Sequence, residues 1–199
     1  MSQARVSLSG INNFLLALII LVNGYIIVAP LLPSFIFSFQ NHSGKQAQLT
    51  QKIHPKHSTV PAVPQPNHIV IPSMQLDQPL LEGSVANQYK VLNQGIWRWP
   101  SSSTPDKGGN TVLIGHRYTY TNPRGVFYFL NKVKPGDEIG LWWNNKEYLY
   151  KVATVTQVPP NDAAIENQTT QPELTLFTCT PLWLPKDRLV VVANLENNQ

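Results

Sequence analysis

Three reactive side chains stand at the ends of strand-like runs in this sequence. Cys179, the single cysteine, closes the run 174–179, and Arg188 follows nine positions later at the start of another run. His116 ends an earlier apolar run, residues 110–116. A thiol can attack a carbonyl to form a thioester, an imidazole can move the proton, and a guanidinium can stabilise the oxyanion. The three residues are therefore candidates for a thiol-based acyl-transfer site.

Each candidate also has an ordinary structural interpretation. Cys179 could be a buried thiol, His116 a hydrogen-bonded core or surface histidine, and Arg188 one half of a surface ion pair. Because side chains alternate along a strand, Cys179 should share a face with Thr175 and Phe177. Its position at the end of the run favours exposure at a rim over burial in a core.

The runs that carry these residues predict an all-β domain. Short β-branched and aromatic runs, separated by Pro, Gly and Asn, are typical of a closed barrel or a sandwich. Helix is expected only as one or two short pieces, within residues 125–131 and 162–166, where Asp162 can act as a cap. The predicted strands are residues 68–72, 78–83, 96–99, 110–115, 138–143, 147–155, 174–179 and 189–195.

The N-terminal part of the chain has the composition of a membrane anchor. No Asp, Glu, Lys or Arg occurs between Arg5 and Lys45, and residues 11–39 are mostly apolar. About 20 apolar residues cross a bilayer, so residues 1–39 are interpreted as an anchor with one transmembrane helix. Pro30 and Pro33 are expected to end that helix. A cleaved signal peptide is the alternative, although its apolar core would be shorter and followed by a small-residue cleavage site.

Residues 40–67 have the composition of a linker. They are rich in Gln, His, Ser, Thr, Lys and Pro and poor in large apolar residues, so they are not expected to bury a core. Their Pro-rich end should be extended and semi-rigid, and would hold the following domain, residues 68–199, away from the membrane. Three histidines of this stretch lack Cys or acidic neighbours, and therefore do not predict a metal site: His42, His54 and His57.

Charge and motif content exclude several functions for the domain. Acidic and basic residues are equal in number from His68 onward, and the net charge of +4 comes from the preceding segments. The domain therefore lacks the basic surface that is typical of nucleic-acid binding. The sequence carries no Gly-rich phosphate loop, no zinc-type Cys/His spacing and no Gly-x-Ser-x-Gly motif. No cofactor and no metal is predicted.

The three motifs resemble those of the sortases, membrane-anchored cysteine transpeptidases of bacterial surfaces. The family pattern is Thr-Leu-x-Thr-Cys, then Arg, with an upstream Gly-His, and this chain has all three elements in that order. The resemblance covers roughly residues 68–195 and is strongest to the smaller classes with an N-terminal anchor. It implies a sortase-type β-barrel of about eight strands. Cys179 would be the nucleophile, His116 the general acid and base, and Arg188 the oxyanion and substrate-positioning group.

The resemblance also implies how substrates bind. The loop 157–173 would shape a groove for a sorting peptide near the C-terminus of an exported protein. Thr178, Trp183 and Leu184 would contact that peptide. An amine from a cell-wall precursor or a pilin lysine would then resolve the thioester. The remaining tryptophans are assigned to the core or the barrel surface: Trp97, Trp99, Trp142 and Trp143. Three further arginines lack the family's position after the cysteine strand: Arg98, Arg117 and Arg124.

Two rival functions and one topological question stay open. The same scaffold could serve a hydrolytic thiol peptidase, with water in place of the amine, or a membrane-tethered binding module with an idle site. The lysines at 45, 52 and 56 favour a cytoplasmic domain by the positive-inside rule. The resemblance implies the opposite, an extracytoplasmic domain on a single-pass anchor, and this is the orientation we expect.

Overall fold

The computed structural model of the chain describes residues 8–29, 31–42, 44–54, 66–119, 124–182 and 184–196. They belong to two compact units, which divide between Gly44 and Lys45. The first unit contains helices α1 (Leu8–Val28) and α2 (Leu32–His42). Helix α1 has 21 residues, a mean hydropathy of 2.1 and no buried residue. Its length, about 30 Å at 1.5 Å per residue, suits a membrane span. It ends at Val28, close to Pro30 as predicted, whereas Pro33 ends no helix and lies in the first turn of α2.

The second unit is a closed barrel, as the sequence predicted, and not a sandwich. The strands are connected in the order β1-β2-β3-β4-β7-β8-β6-β5 around the barrel. Every predicted strand is present, with ends displaced by at most three residues. The strands are β1 (His68–Ile71), β2 (Leu76–Leu81), β3 (Ile96–Arg98), β4 (Asn110–Ile114), β5 (Glu138–Trp143), β6 (Lys146–Val158), β7 (Glu173–Thr180) and β8 (Asp187–Leu195).

Side-chain alternation along β7 and β8 separates the core from the outer surface. Leu174 and Leu176 face the barrel interior, where they pack with Val191 in the main apolar cluster. Phe177 and Val190 face outward and form a second cluster with a residue of β4. The same alternation directs Cys179 and Arg188 outward, because each lies two residues from one of these outward positions. Burial of such aliphatic side chains stabilises a fold by about 1.5–3 kcal/mol each.

The helical content is small but larger than predicted. The expected turn within residues 162–166 is a 3₁₀ helix, Ala163–Glu166, and Asp162 caps it by accepting a hydrogen bond from the Ala164 amide at 3.0 Å. A second 3₁₀ turn, Leu130–Lys132, falls at the end of the other predicted piece. Helix α4 (Gln88–Leu92), which leads into β3, has no counterpart in the sequence prediction.

The prediction that residues 40–67 form a linker without buried residues is wrong for one part of this segment. Residues 45–53 form helix α3 (Lys45–Ile53), and its Leu49 and Ile53 are buried against Val70 and Leu149 on the outside of the barrel. A side chain at Gly140 would collide with Ile53, so the missing Cβ creates the space into which the helix packs. Two polar contacts flank this packing at 2.7 Å: an ion pair between Lys52 and Asp77, and a hydrogen bond between the His54 ring and the Glu138 carboxyl group.

Candidate active site

Parallel pairing of β4 with β7 brings two of the candidate residues together. Ile114 pairs with Phe177 at the end of this ladder. Both strands run in the same direction, so their carboxyl ends lie at the same edge of the barrel. His116 and Cys179 each follow the last pair by two residues. The two strands therefore deliver a histidine and a cysteine to one rim, although 63 residues separate them in sequence.

Two hydrogen bonds bracket this pair of residues. Thr178 donates its hydroxyl proton to the carbonyl oxygen of Gly115 at 2.7 Å. Arg117 donates from Nη1 to the hydroxyl oxygen of Thr180, also at 2.7 Å. The first bond joins the residue before Cys179 to the residue before His116. The second bond joins the residue after His116 to the residue after Cys179. Because both threonines are almost fully buried, this bracket holds the two backbones in register at the rim.

Arg188 lies beside the cysteine sulfur. Cys179 and Arg188 are direct partners across the antiparallel β7–β8 ladder, and both are half-buried. The Nη1 of Arg188 donates to the Sγ of Cys179 at 3.4 Å. A guanidinium keeps its charge at every relevant pH, so it stabilises negative charge on the sulfur or on a carbonyl oxygen bound next to it. The surface ion-pair alternative for Arg188 is not what this geometry shows.

His116 occupies a half-buried position with a closely packed backbone. The amide of Phe127 donates to the His116 carbonyl at 3.0 Å. Gly125 lies directly against that same carbonyl, where a Cβ would have no space. Partial burial lowers the pKa of His116 from its ordinary value of 6.5. The imidazole is therefore mostly neutral near pH 7, the form that can accept a proton from a thiol.

A groove of about 450 Å³ contains all three candidate residues. Its floor is the outward-facing apolar cluster, including Phe177 and Ile114, and its wall is the loop that carries the 3₁₀ helix at 163–166. Glu166 also lines the groove, and burial raises the pKa of its carboxyl. Other lining residues are Trp97, Trp99, Asp162 and Ile165. An apolar trough next to a thiol suits an extended peptide with apolar side chains.

The remaining predicted site residues are placed differently. Thr178 lines the groove, but its hydroxyl is committed to Gly115 and its side chain is buried. Leu184 is 77% exposed and does not line the described groove. Trp183 lies outside the described residues. Arg98 pairs with Glu82 at 2.7 Å and has a structural role. No group of three or more His, Cys, Asp or Glu that could hold a metal is found among the described residues.

Sequence reasoning missed two features of the site. The sequence assigns Arg117 no role, because it lacks the family's position after the cysteine strand, yet it forms one of the two hydrogen bonds between the ends of β4 and β7. Its only sequence signal is adjacency to His116. Trp97 and Trp99 were assigned to the core or the barrel surface, and both also line the groove. The alternation of apolar and charged residues at 96–99 predicted a strand but could not indicate what lies beside it.

Comparisons with known proteins identify the family of this chain. A family model described as the sortase domain matches residues 69–196. The chain is 32% identical to Sortase SrtE1 of Streptomyces coelicolor over 136 residues, which covers 61% of this chain and 37% of that protein. It is 32% identical to Sortase A of Bacillus anthracis over 128 residues, 64% of this chain and 58% of that protein. In both comparisons the match spans less than two thirds of the relative's own length.

Solved structures support the fold. The structure of sortase A from Corynebacterium diphtheriae, a lid mutant, is similar with a TM-score of 0.58 and 24% identity. That similarity covers 75% of this chain and 77% of the other. At this identity the likeness concerns the barrel architecture, while the groove residues are argued from the geometry above.

Proposed function

Because the chain belongs to the sortase family of cysteine transpeptidases, we propose that it cleaves a sorting signal in exported proteins and transfers the acyl fragment to an amine. The observation that carries this proposal is the contact between Arg188 and the Cys179 sulfur at 3.4 Å, in a groove that also contains His116. These groups supply a nucleophile, a proton carrier and a fixed positive charge. Acyl transfer through a thioester needs all three.

The first half of the proposed reaction forms a thioester. Neutral His116 accepts the thiol proton as the Cys179 sulfur attacks the carbonyl carbon of the scissile peptide bond. Arg188 stabilises the negative charge that develops on the carbonyl oxygen. His116 then donates the proton to the leaving amine, and the carbon–nitrogen bond breaks. Removal of one oxyanion donor of this kind costs about 10²–10³ in rate in other acyl-transfer enzymes.

The second half transfers the acyl group. An incoming amine attacks the thioester carbonyl carbon and gives its proton to His116, while Arg188 again stabilises the oxyanion. The carbon–sulfur bond then breaks and Cys179 recovers its proton from His116. A cell-wall precursor or a pilin lysine would supply the amine. The apolar floor of the groove, with Phe177 and Ile114, supports a sorting motif of the Leu-Pro-x-Thr-Gly type.

The proposed membrane location rests on helix α1. Its 21 residues, most of them apolar, would hold the enzyme at the membrane where exported substrates emerge. We place the catalytic unit on the extracytoplasmic side, because sorting signals and amine acceptors meet there. A protease-accessibility assay on intact cells tests this orientation, and a domain protected from external protease would contradict it.

Product analysis tests the proposed reaction. The full chain in detergent micelles is incubated with a library of Leu-Pro-x-Thr-Gly-like peptides, with and without a simple amine such as triglycine. We expect an amine-ligated product whose yield rises with amine concentration. Hydrolysed product alone at every amine concentration would favour the thiol peptidase. Absence of both products with all peptides would favour the binding module with an idle site.

A further inference from the structure

A second hollow meets the catalytic groove at His116. It has a volume of about 240 Å³ and lies between helix α4 with its following turn and the residues around Gly125. Among the described residues, the two hollows share only Leu92 and His116. Cys179 and Arg188 line the groove but not the second hollow. The imidazole therefore stands at the junction of two separate binding spaces.

The two spaces differ in charge and polarity. The groove has an apolar floor and includes two acidic side chains, Asp162 and Glu166, in addition to Arg188. The second hollow has no acidic residue in its described lining, and its one side chain with a fixed charge is Arg124. Four more of its lining residues carry amide or hydroxyl groups: Gln78, Asn93, Gln94 and Thr119. Such a lining donates hydrogen bonds to an anion, and a carboxylate paired with a guanidinium gains the stronger, charge-assisted kind.

The position of the hollow matches a need of the second half-reaction. While the acyl fragment occupies the groove, the amine must reach the thioester from another side and pass its proton to His116. A space that touches His116 without containing Cys179 meets this requirement. The amine of a molecule seated there would point toward the junction, and its remaining polar groups would contact the lining described above.

We propose that this second hollow is the acceptor site, and that Arg124 selects an amine whose molecule also carries a free carboxylate. The proposal rests on the transpeptidation proposed above. In the step it serves, the amine nitrogen bonds to the thioester carbonyl carbon and its proton moves to His116. The carbon–sulfur bond breaks, and the proton returns to the Cys179 sulfur. The acceptor class is thus an amino acid or short peptide with a free C-terminal carboxylate.

Partition of the thioester between water and amine isolates this step. Glycine, diglycine and triglycine are each compared with their own C-terminal amides, at equal concentrations of free amine, using the acyl donor identified from the peptide library. The ratio of ligated to hydrolysed product does not depend on how fast the thioester forms. We expect the carboxylate form of at least one pair to give a ratio about tenfold above its amide, the scale of a charge-assisted bond.

Variants of Arg124 locate the selectivity. Arg124→Gln should reduce the carboxylate preference to near unity, and Arg124→Lys should keep part of it because the charge remains. Lys134→Gln removes an exposed positive charge from a turn outside both hollows, and should leave the preference as it is in the unaltered chain.

Three results would overturn the proposal, and they are distinguishable. Equal ratios for acid and amide in all three pairs would show that no carboxylate is recognised. A preference that survives Arg124→Gln would place the recognition elsewhere. Absence of both ligated and hydrolysed products in every reaction would remove the proposed function itself, and the acceptor site with it.

Discussion

In the described part of the chain the barrel carries two apolar clusters on its outer surface: helix α3 closes over one, and the groove opens onto the other. On one side Leu49 and Ile53 of α3 close over Val70 and Leu149. On the other side Val112, Phe177 and Val190 form a second cluster, against which Ile165 of the 3₁₀ helix packs and which is open to the groove at Phe177. The reactive side chains lie beside this open cluster. The covered cluster therefore contributes stability, whereas the open cluster forms part of the floor of the groove in which we propose that a peptide binds.

The largest loss of activity is expected next to the open cluster, when the positive charge of Arg188 beside the Cys179 sulfur is removed. Arg188→Gln removes the guanidinium that donates to the Cys179 sulfur, and should lower the rate of thioester formation by about 10²–10³. Single-turnover mass spectrometry measures this rate. Lys186→Gln is the matched control, because it removes an exposed positive charge two residues away. Equal losses in the two variants would mean that Arg188 acts only through the general field of the surface.

A smaller effect is expected from the bracket that joins β4 to β7. Thr180→Val keeps the shape of the side chain but removes the acceptor for Arg117. We expect kcat to fall about tenfold with little change in KM, since lost alignment of His116 affects the chemical step rather than peptide binding.

The control for this prediction lies on the same strand. Thr175→Val changes another buried threonine of β7, four residues before Cys179, which forms neither of the two hydrogen bonds between β4 and β7 at the rim. Both variants are assayed well below their melting temperatures. If the two lowered kcat equally, the effect of Thr180→Val would be one of general stability, and the positioning role of Arg117 would be lost.

The covered cluster should show the opposite pattern. Ile53→Ala removes a side chain that is 3% exposed, and should lower the free energy of unfolding by about 2 kcal/mol while kcat and KM stay unchanged. Denaturant titration and steady-state kinetics on the same preparation measure both quantities. Gln51→Ala, on the exposed side of α3, is the control for helix content. A loss of turnover in Ile53→Ala would break the proposed division between the two clusters.

The smallest expected effect is the pH dependence of stability that His116 contributes. Burial lowers the pKa of His116, so the imidazole should take up its proton at a pH below 6.5. The pKa of His116 is thus lower in the folded chain than in the unfolded chain. The free energy of unfolding is therefore at its full value above the unfolded-state pKa, and it decreases as pH falls toward and through the folded-state pKa. The NMR titration of the His116 ring in the Cys179→Ala chain measures the midpoint. A midpoint above 6.5 would contradict the effect of burial and the neutral resting imidazole.

The sequence predicted the barrel better than it predicted what surrounds it. Alternating and β-branched runs are local signals, and they located every strand within three residues. The sequence does not indicate helix α3, because only two large apolar residues, Leu49 and Ile53, mark it in a polar segment. The space for Ile53 depends on the missing side chain of Gly140, 87 positions away in sequence. Such a fit between distant residues has no local signature.

The residues of the candidate site likewise include some that the sequence predicts and others that only the folded chain shows. Cys179, His116 and Arg188 were found because their types and strand-end positions suit acyl transfer, and the structure brings all three to one groove. The bond from Arg117 to Thr180 spans 63 residues and depends on the parallel pairing of β4 with β7. That pairing is a property of the topology, so residues that act through it are visible only in the folded chain.

The central claim is that the Cys179 sulfur forms a covalent bond with the substrate acyl group. Intact-protein mass spectrometry of the full chain in micelles, mixed with an active sorting peptide and no added amine, tests it most directly. The account predicts a mass increase equal to the acyl fragment, located on Cys179 by peptide mapping and absent from Cys179→Ala. Cleavage of the same peptide by Cys179→Ala at the rate of the unaltered chain would contradict the account.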